Sequence, residues 1–414
     1  MKASLRDSGS LKEAFTDRAW GPEEGGRDQW SVSLADIMPR ILVRVAALIA
    51  VLALLFGVPW WTIVGSPALP APLEVLGTIV FAAAAVAVPA CMVLGHGPWQ
   101  RDLAAKIGDL SLGLIWLLFS LSVLGNVLRL VLALSGVDSA AGIVSGVVLA
   151  TFAALAAYGM FEARRVPRLK ELDVVLPRLG EGLDGLRFAI ITDTHFGPLN
   201  RTAWSEKVVE VVNELDADVV AHAGDLADGS VAKRAQQVAP LGKVRAKLGK
   251  FYITGNHEYF GEAQAWLDHM RDLGWETLHN RHLPVSRDGD TLVFAGIDDP
   301  TGAASGLPGH GPDLPAALDG VPASTPVVLL AHQPKQVKQA VEAGIDLQIS
   351  GHTHGGQIWP FHLLVRLDQP VLAGLSRHGE RTQLYTSRGT GFWGPPLRVF
   401  APSEITLLTL RNAK

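Results

Sequence analysis

The chain has 414 residues, long enough for more than one folded unit. Its formal net charge of −4 gives no reason to expect a nucleic-acid partner, and its single cysteine, Cys91, excludes an intrachain disulfide. Hydrophobic residues make up 48% against 18% charged, and the mean hydropathy is +0.25, which is greasy for a purely water-soluble protein.

The apolar excess sits in the first 160 or so residues. Residues 1–39 are polar, charged and without periodicity, and read as a flexible tail. The first apolar run begins only near Ile41, too far along for a signal peptide. Four runs follow, at 45–64, 75–94, 110–127 and 140–161, each close to the roughly 20 residues needed to cross a hydrocarbon core. The first ends on Trp60-Trp61, an aromatic pair suited to a membrane interface. Asn126 and Arg129 are read as groups near a helix end, with the arginine snorkelling. Arg40 and Arg44 precede the first run, Arg101 and Lys106 lie between the second and third, and Arg164, Arg165, Arg168 and Lys170 follow the fourth. The positive-inside rule then places both termini in the cytoplasm. The expected location is a plasma (inner) membrane, spanned several times, with the C-terminal domain cytoplasmic.

Residues 164–185, with Pro167 and Pro177, read as a linker between a membrane domain at 40–163 and a second domain at 186–414. Beyond the linker, short β-rich runs alternate with helical patterns, which predicts an α/β domain. Strands are expected at 187–192, 218–222, 251–254, 291–297, 327–331, 346–349, 384–387 and 397–410. Helices are expected at 205–215, 231–248, 262–273 and 336–343.

Five strand ends carry ligand-type residues. They read Asp193-Thr194-His195, Gly224-Asp225-Leu226-Ala227-Asp228-Gly229, Gly255-Asn256-His257-Glu258, His332, and Gly351-His352-Thr353-His354-Gly355-Gly356-Gln357. Taken singly, Asp193 and Asp225 are equally good turn formers or helix caps, Asn256 a turn residue, and His332 a satisfied core histidine. Ligands of α/β sheets collect at the carboxyl ends of strands, so jointly these residues predict one metal site. Carboxylate, imidazole and amide donors without a thiolate suit divalent Mn, Fe, Zn or Co.

In this order the motifs resemble the calcineurin-like metallophosphoesterase superfamily over residues 187–410. The resemblance implies a four-layer α/β/β/α sandwich, here preceded by a four-helix transmembrane domain, and two divalent metal ions. It implies that Asp193, His195 and His354 hold one ion, that Asn256, His332 and His352 hold the other, and that Asp225 bridges them. It further implies that His257 is the general acid, with Asp228 orienting its ring. Gly229 stands where calcineurin-type protein phosphatases have arginine, which speaks against a phosphoprotein monoesterase. The extended Gly351–Gln357 motif, with Ser387-Arg388-Gly389 and Gly394-Pro395-Pro396-Leu397-Arg398, is similar to the bacterial membrane-associated phosphodiesterases, the YkuE-like and YaeI-like proteins among them.

Arg388 and Arg398 are expected to bind a second phosphate, since guanidinium forks suit it, although strand pairing is an equal alternative. Phe392, Trp393 and Trp359 are candidates for an apolar rim, with core packing expected for at least one. The expectation is a membrane-anchored phosphodiesterase acting on phosphate esters or pyrophosphates, with lipid-linked or nucleotide-sugar-lipid substrates in view. A phosphomonoester or nucleotide hydrolase of the same fold, and a non-catalytic metal-binding sensor, are the alternatives.

Overall fold

The computed structural model describes residues 34–137, 140–199 and 202–413. Four long helices open it: α1 (Leu34–Trp60), continued by a π-helical turn at Trp61–Gly65, then α2 (Ala71–His96), α3 (Asp102–Leu134) and α4 (Ala140–Arg164). All four are long and apolar enough to cross a membrane. A helix satisfies its own backbone, which is what a lipid environment demands. The tail expected at 1–39 ends earlier than predicted, because 34–39 already belong to α1, while 1–33 lie outside the described residues.

Among these helices the polar groups tie one to another. Asn126 Nδ2 donates to Thr62 Oγ1 at 2.6 Å, and Ser145 Oγ donates to the Thr62 carbonyl at 2.6 Å. Asn126 is therefore an interhelical clasp. Arg129 lies over the Trp61 ring, 5.7 Å from its centroid.

The rest is two six-stranded sheets. In chain order the strands are β1 (Arg168–Leu176), β2 (Leu186–Ile191), β3 (Val219–Ala223), β4 (Gly249–Ile253), β5 (Glu276–Thr277), β6 (Arg281–Arg287), β7 (Asp290–Gly296), β8 (Val327–Leu330), β9 (Leu347–Ser350), β10 (Gly374–His378), β11 (Thr382–Thr386) and β12 (Glu404–Asn412). One sheet runs β1-β12-β2-β3-β4-β5 and the other β10-β11-β9-β8-β7-β6. The inner faces meet in a core that includes Phe188, Ile190, Ile253, Phe294, Leu330 and Ile349. Phe294 packs edge-on to Phe188 and stacks on Phe251. The outer face of the first sheet is covered by α5 (Thr202–Glu214), α6 (Val231–Val238) and α8 (Ala263–Asp272), with the short α7 (Asn256–Tyr259) between the last two. The second sheet is covered by α9 (Leu314–Leu318) and α10 (Val337–Glu342), and α11 (His362–Val365) follows β9. These are the four layers.

The segment read as a linker is corrected: β1 lies inside 164–185 and pairs in parallel with β12 along nine residues. Leu172, Val174 and Leu176 alternate toward the core while charged neighbours face out, the pattern of a blunted edge strand. One helix and one strand are shorter than expected. The helix from 231 stops at Val238 because Pro240 cannot continue it, and the last strand begins only at Glu404. The strand expected at 291–297 is β7; its hairpin partner β6 is additional, and Asp288-Gly289 supplies the two positive φ values, 51° and 88°, that such a turn requires.

The helical and sheet regions are firmly docked. Arg234 forks onto Asp102 at 2.8 and 3.1 Å, Lys233 donates to the Gln100 carbonyl, and Arg168 forks onto the buried Glu162 at 2.7 and 3.0 Å. Ile358, Leu397 and Val399 pack among Leu117, Leu121 and Ala156 of α3 and α4. Gly113 permits that approach, since a Cβ there would collide with Pro395 and Leu397.

Candidate metal centre

Every ligand-type residue singled out lies just past the carboxyl end of a strand: Asp193 and His195 after β2, Asp225 and Asp228 after β3, Asn256 and His257 after β4, His332 after β8, and His352 and His354 after β9. The loops that carry them are contorted. Asp193, His195, Asp225, His352 and His354 all have φ between 42° and 69°. Non-glycine residues rarely adopt this region, and such strain clusters at functional sites. Gly351 is required for a different reason: a Cβ there would strike the Asp193 carboxylate and Thr192.

The side chains converge on one point. His354 Nε2 lies 3.5 Å from Asp193 Oδ1 and 3.1 Å from His195 Nε2. On the other side, His352 Nδ1 lies 2.9 Å from Asn256 Oδ1. Between the two groups stands Asp225, whose Oδ2 is 3.6 Å from His195 Nε2 and 3.1 Å from His332 Nε2. Its other oxygen accepts the His257 backbone N–H at 2.9 Å. Asp193, His195 and His354 form one ligand-competent trio, and Asp225, His332 and His352 another.

The residues fit divalent cations. Asp193 Oδ2 is buried with no hydrogen-bond partner, a costly state, and the buried His332 Nε2 faces Asp225 Oδ2 at 3.1 Å. His332 donates its Nδ1–H to the Ala223 carbonyl at 2.8 Å, which aims Nε2 at the centre. Burial disfavours the charged form of His332, yet the Asp225 and Asp193 carboxylates outweigh it and raise the imidazole well above its ordinary range, so a cation would take the place of a proton on Nε2. Burial pushes the Asp193 carboxyl up, with the Asp225 charge adding to it. Burial, with the neighbouring His195 and Arg398, holds His354 well below the ordinary imidazole range, hence neutral and able to ligate. A crowd of this kind is relieved by bound positive charge.

Beside the trios, Asp228 Oδ1 receives both His257 Nδ1 at 2.8 Å and His195 Nδ1 at 3.0 Å. Burial alone would raise the Asp228 carboxyl; the two imidazoles override it and hold it far below the carboxylate range. Burial works against a charged His257, yet Asp225 and Asp228 raise its pKa to about 9. His257 is thus a held, protonated imidazole at the edge of the centre.

The residues expected to touch substrate separate. Arg398 is corrected: it is fully buried and spends its donors on the carbonyls of Gly391, Ala401 and Arg388, with Nη2 3.1 Å from His354 Nδ1. It props the loop behind His354 and is closed to a second phosphate. Arg388 is half-buried next to Gly355. Trp393 is 48% exposed, with its indole edge-on to His257 at 5.9 Å, and so forms a rim. Phe392 is buried and Trp359 packs toward the membrane helices.

Two contributions escaped the sequence reading. Glu258, given no role, is fully buried and accepts the backbone N–H groups of Asp225, Leu226 and Gly255 at 3.1, 2.8 and 2.6 Å. It clamps two ligand loops together, and burial, aided by Asp225, raises its pKa to about 7. The G-N-H-E spacing held that signal, because a carboxylate at the third position of a helix folds back on the loop before it. The second is Asp109 of α3, which lines a narrow pocket with His195, Asp228, Leu199 and Phe392 and is hydrogen-bonded to His96 at 2.7 Å. No motif marks it. A further trio, His279, Asp298 and His310, lies apart behind α7; His310 bonds Tyr259 and Gln264, and we read it as a brace.

Five strand-end loops, imidazole and carboxylate donors around a central aspartate, and a carboxylate-held imidazole beside them define a metal-dependent hydrolase. A calcineurin-like phosphoesterase family model matches residues 186–356. The chain is 39% identical over 267 residues to a transmembrane protein with metallophosphoesterase domain from Danio rerio, an alignment covering 63% of this chain and 61% of that one. An uncharacterized metallophosphoesterase of Helicobacter pylori is 38% identical over 61% of this chain and 66% of its own. The Bacillus subtilis metallophosphoesterase YkuE is 30% identical over 56% and 81%. The chain thus spans about three fifths of the length of the Danio rerio relative. It belongs to the calcineurin-like phosphoesterase family.

Proposed function

We propose that this chain is a membrane-anchored phosphodiesterase that uses two divalent cations to hydrolyse a phosphate ester or pyrophosphate bond of a lipid-linked substrate, with its catalytic domain on the cytoplasmic side of a plasma membrane. The observation that carries the proposal is Asp225, whose carboxylate stands between the His195 and His332 nitrogens. Asp193, His195 and His354 would hold one cation and Asn256, His332 and His352 the other, with Asp225 shared. Bound there, the cations supply Lewis acidity and make water nucleophilic at neutral pH. His257, held through Nδ1 by Asp228, presents its outer N–H to the leaving oxygen as general acid. Asp228 keeps the ring oriented and stabilises its positive charge. Trp393 at the rim offers an apolar face to the substrate's leaving side.

One feature supports a diester over a monoester. Gly229 adds no cation for a dianionic phosphate, and the nearest guanidinium, that of Arg234, with Nε 3.4 Å from where a side chain at Gly229 would begin, is committed to Asp102 and the Asp228 carbonyl. The lipid-linked reading rests on the membrane helices, which keep the centre near a bilayer: α3 carries Asp109, which lines the narrow crevice beside Asp228. The test is hydrolysis of bis-p-nitrophenyl phosphate against p-nitrophenyl phosphate by the detergent-solubilised protein with added manganese. Faster diester turnover, lost in Asp225→Ala, is expected; monoester preference would favour the phosphomonoesterase alternative, and bound metal without turnover the sensor.

A further inference from the structure

From residue 358 the metal-binding loop of His352 and His354 runs straight into an apolar segment, Phe361-His362-Leu363-Leu364-Val365-Arg366-Leu367, around α11. This segment violates the pattern of a water-exposed surface. Leu363, Leu364 and Leu367 are 58%, 48% and 84% exposed, and Phe361 at 36% and Phe400 at 64% stand out as well. Phe400 also has φ of 63°, a backbone state that a bulky residue adopts only when its surroundings force it. Exposed apolar patches of this kind mark an interaction surface.

Helix lengths locate this patch relative to the bilayer. With 33 residues, α3 is about 50 Å long, whereas a hydrocarbon core is only about 30 Å thick. Some 13 residues must therefore project, by the same arithmetic. The projecting end is the N-terminal one, where Asp102 receives the Arg234 fork and Gly113 abuts Pro395 and Leu397. The boundary of the core in α3 then falls between Leu110, counting about 20 residues from Arg129 on the interfacial Trp61, and Trp116, counting from Leu134; in α4, counted from Ala140, it falls close to Tyr158. Phe361 packs edge-on to Trp116 at 5.6 Å, and Phe400 lies 6.5 Å from Tyr158. Both exposed aromatics are thus held at the level where aromatic side chains line membrane interfaces. Arg366, between Val365 and Leu367, and Arg164 and Arg165 at the end of α4 add cations suited to anionic headgroups.

We propose that Phe361–Leu367, together with Phe400, forms a second membrane-contact surface, carried by the catalytic domain itself and seated in the acyl–headgroup boundary of the leaflet that α3 and α4 enter. The surface is continuous with the helices already in the bilayer, which is why lipid is the occupant. Because α11 follows the His352/His354 loop within eight residues of His354, this seat fixes the height of the metal centre above the leaflet.

The experiment uses the full chain in nanodiscs of phosphatidylethanolamine and phosphatidylglycerol, with Cys91→Ala as background and an environment-sensitive nitrobenzoxadiazole label at Leu367→Cys. A control label sits at Lys247→Cys, an exposed position at the opposite ends of the strands. The Leu367 label is expected to emit at blue-shifted wavelength and to lose at least half its intensity when the lipids carry brominated acyl chains, while the Lys247 label stays water-like and unquenched. A water-like, unquenched Leu367 label would overturn the proposal. So would a blue shift that bromolipid leaves untouched, because a second copy of the chain would then cover the patch. Neither readout depends on turnover. As a second arm, Leu363→Asp with Leu367→Asp should leave hydrolysis of soluble bis-p-nitrophenyl phosphate in detergent within twofold of the parent and abolish bromolipid quenching of a label at Phe400→Cys; unchanged quenching would count against the seat.

Discussion

Among the membrane helices, Thr62, Asn126 and Ser145 close on one another through hydrogen bonds of 2.6 Å, each donor meeting an acceptor. Between the sheets, Asp193, Asp225, His195, His332 and His354 crowd together with a ligand atom, Asp193 Oδ2, left over. Both groups are polar and largely buried, Asn126 being half-buried. The first is a finished network that fastens structure. The second is complete only when something positive enters, so a buried cluster with surplus lone pairs is a statement about a ligand.

The sharpest way to break the contrast is to remove its centre. Asp225→Ala is expected to abolish stoichiometric metal binding, measured by elemental analysis, and to lower diester turnover by about 10³-fold or more, the scale of several kcal/mol of lost charge stabilisation. Removing metal with a chelator should act on the same cluster. At about 100 times Kd, returning the cation should restore roughly 2.7 kcal/mol to the sheet domain, visible as a rise in melting temperature.

Next comes His257→Ala, which leaves all proposed ligands in place. It should keep its metal and lose about 10²–10⁴-fold in kcat on an alkyl ester, and clearly less on a p-nitrophenyl ester, whose leaving group needs little protonation. Equal losses on both substrates would remove the general-acid role. Asp228→Asn should cost less, about 10–100-fold, because it loosens the imidazoles without removing either.

The smallest effect is predicted on the other side of the comparison. Asn126→Leu should destabilise the membrane helices by only about 0.6 kcal/mol, with about 1.7 as the ceiling, and leave metal content unchanged. A loss of metal in that variant would mean that the two clusters are not independent.

Nearly all of the residues that the structure gathers at the candidate centre were legible in the sequence, because metal chemistry restricts residue type and the strand ends impose order. Asp193, Asp225, His332 and His354 needed only spacing and an apolar run before each. Arg398 was misread because nothing in Gly394-Pro395-Pro396-Leu397-Arg398 distinguishes a guanidinium aimed at solvent from one that caps three carbonyls. That distinction lives in the path of the loop. β1 was hidden by prolines at both ends, although its Leu172-Val174-Leu176 alternation was there to be read. The contacts of Asp109 with the pocket, and of Arg234 with Asp102, join residues more than 80 positions apart on unrelated elements, and no local pattern encodes them.

The apolar seam where Ile358, Leu397 and Val399 rest against α3 and α4 bears on how the enzyme is handled in the laboratory. A fragment begun at Arg168 would uncover that seam a few residues from the His354 loop and strip Arg168 of Glu162. Such a truncation is expected to clump and to bind cations poorly, so an inactive soluble fragment would reflect the missing scaffold and leave the chemistry of the intact chain untouched.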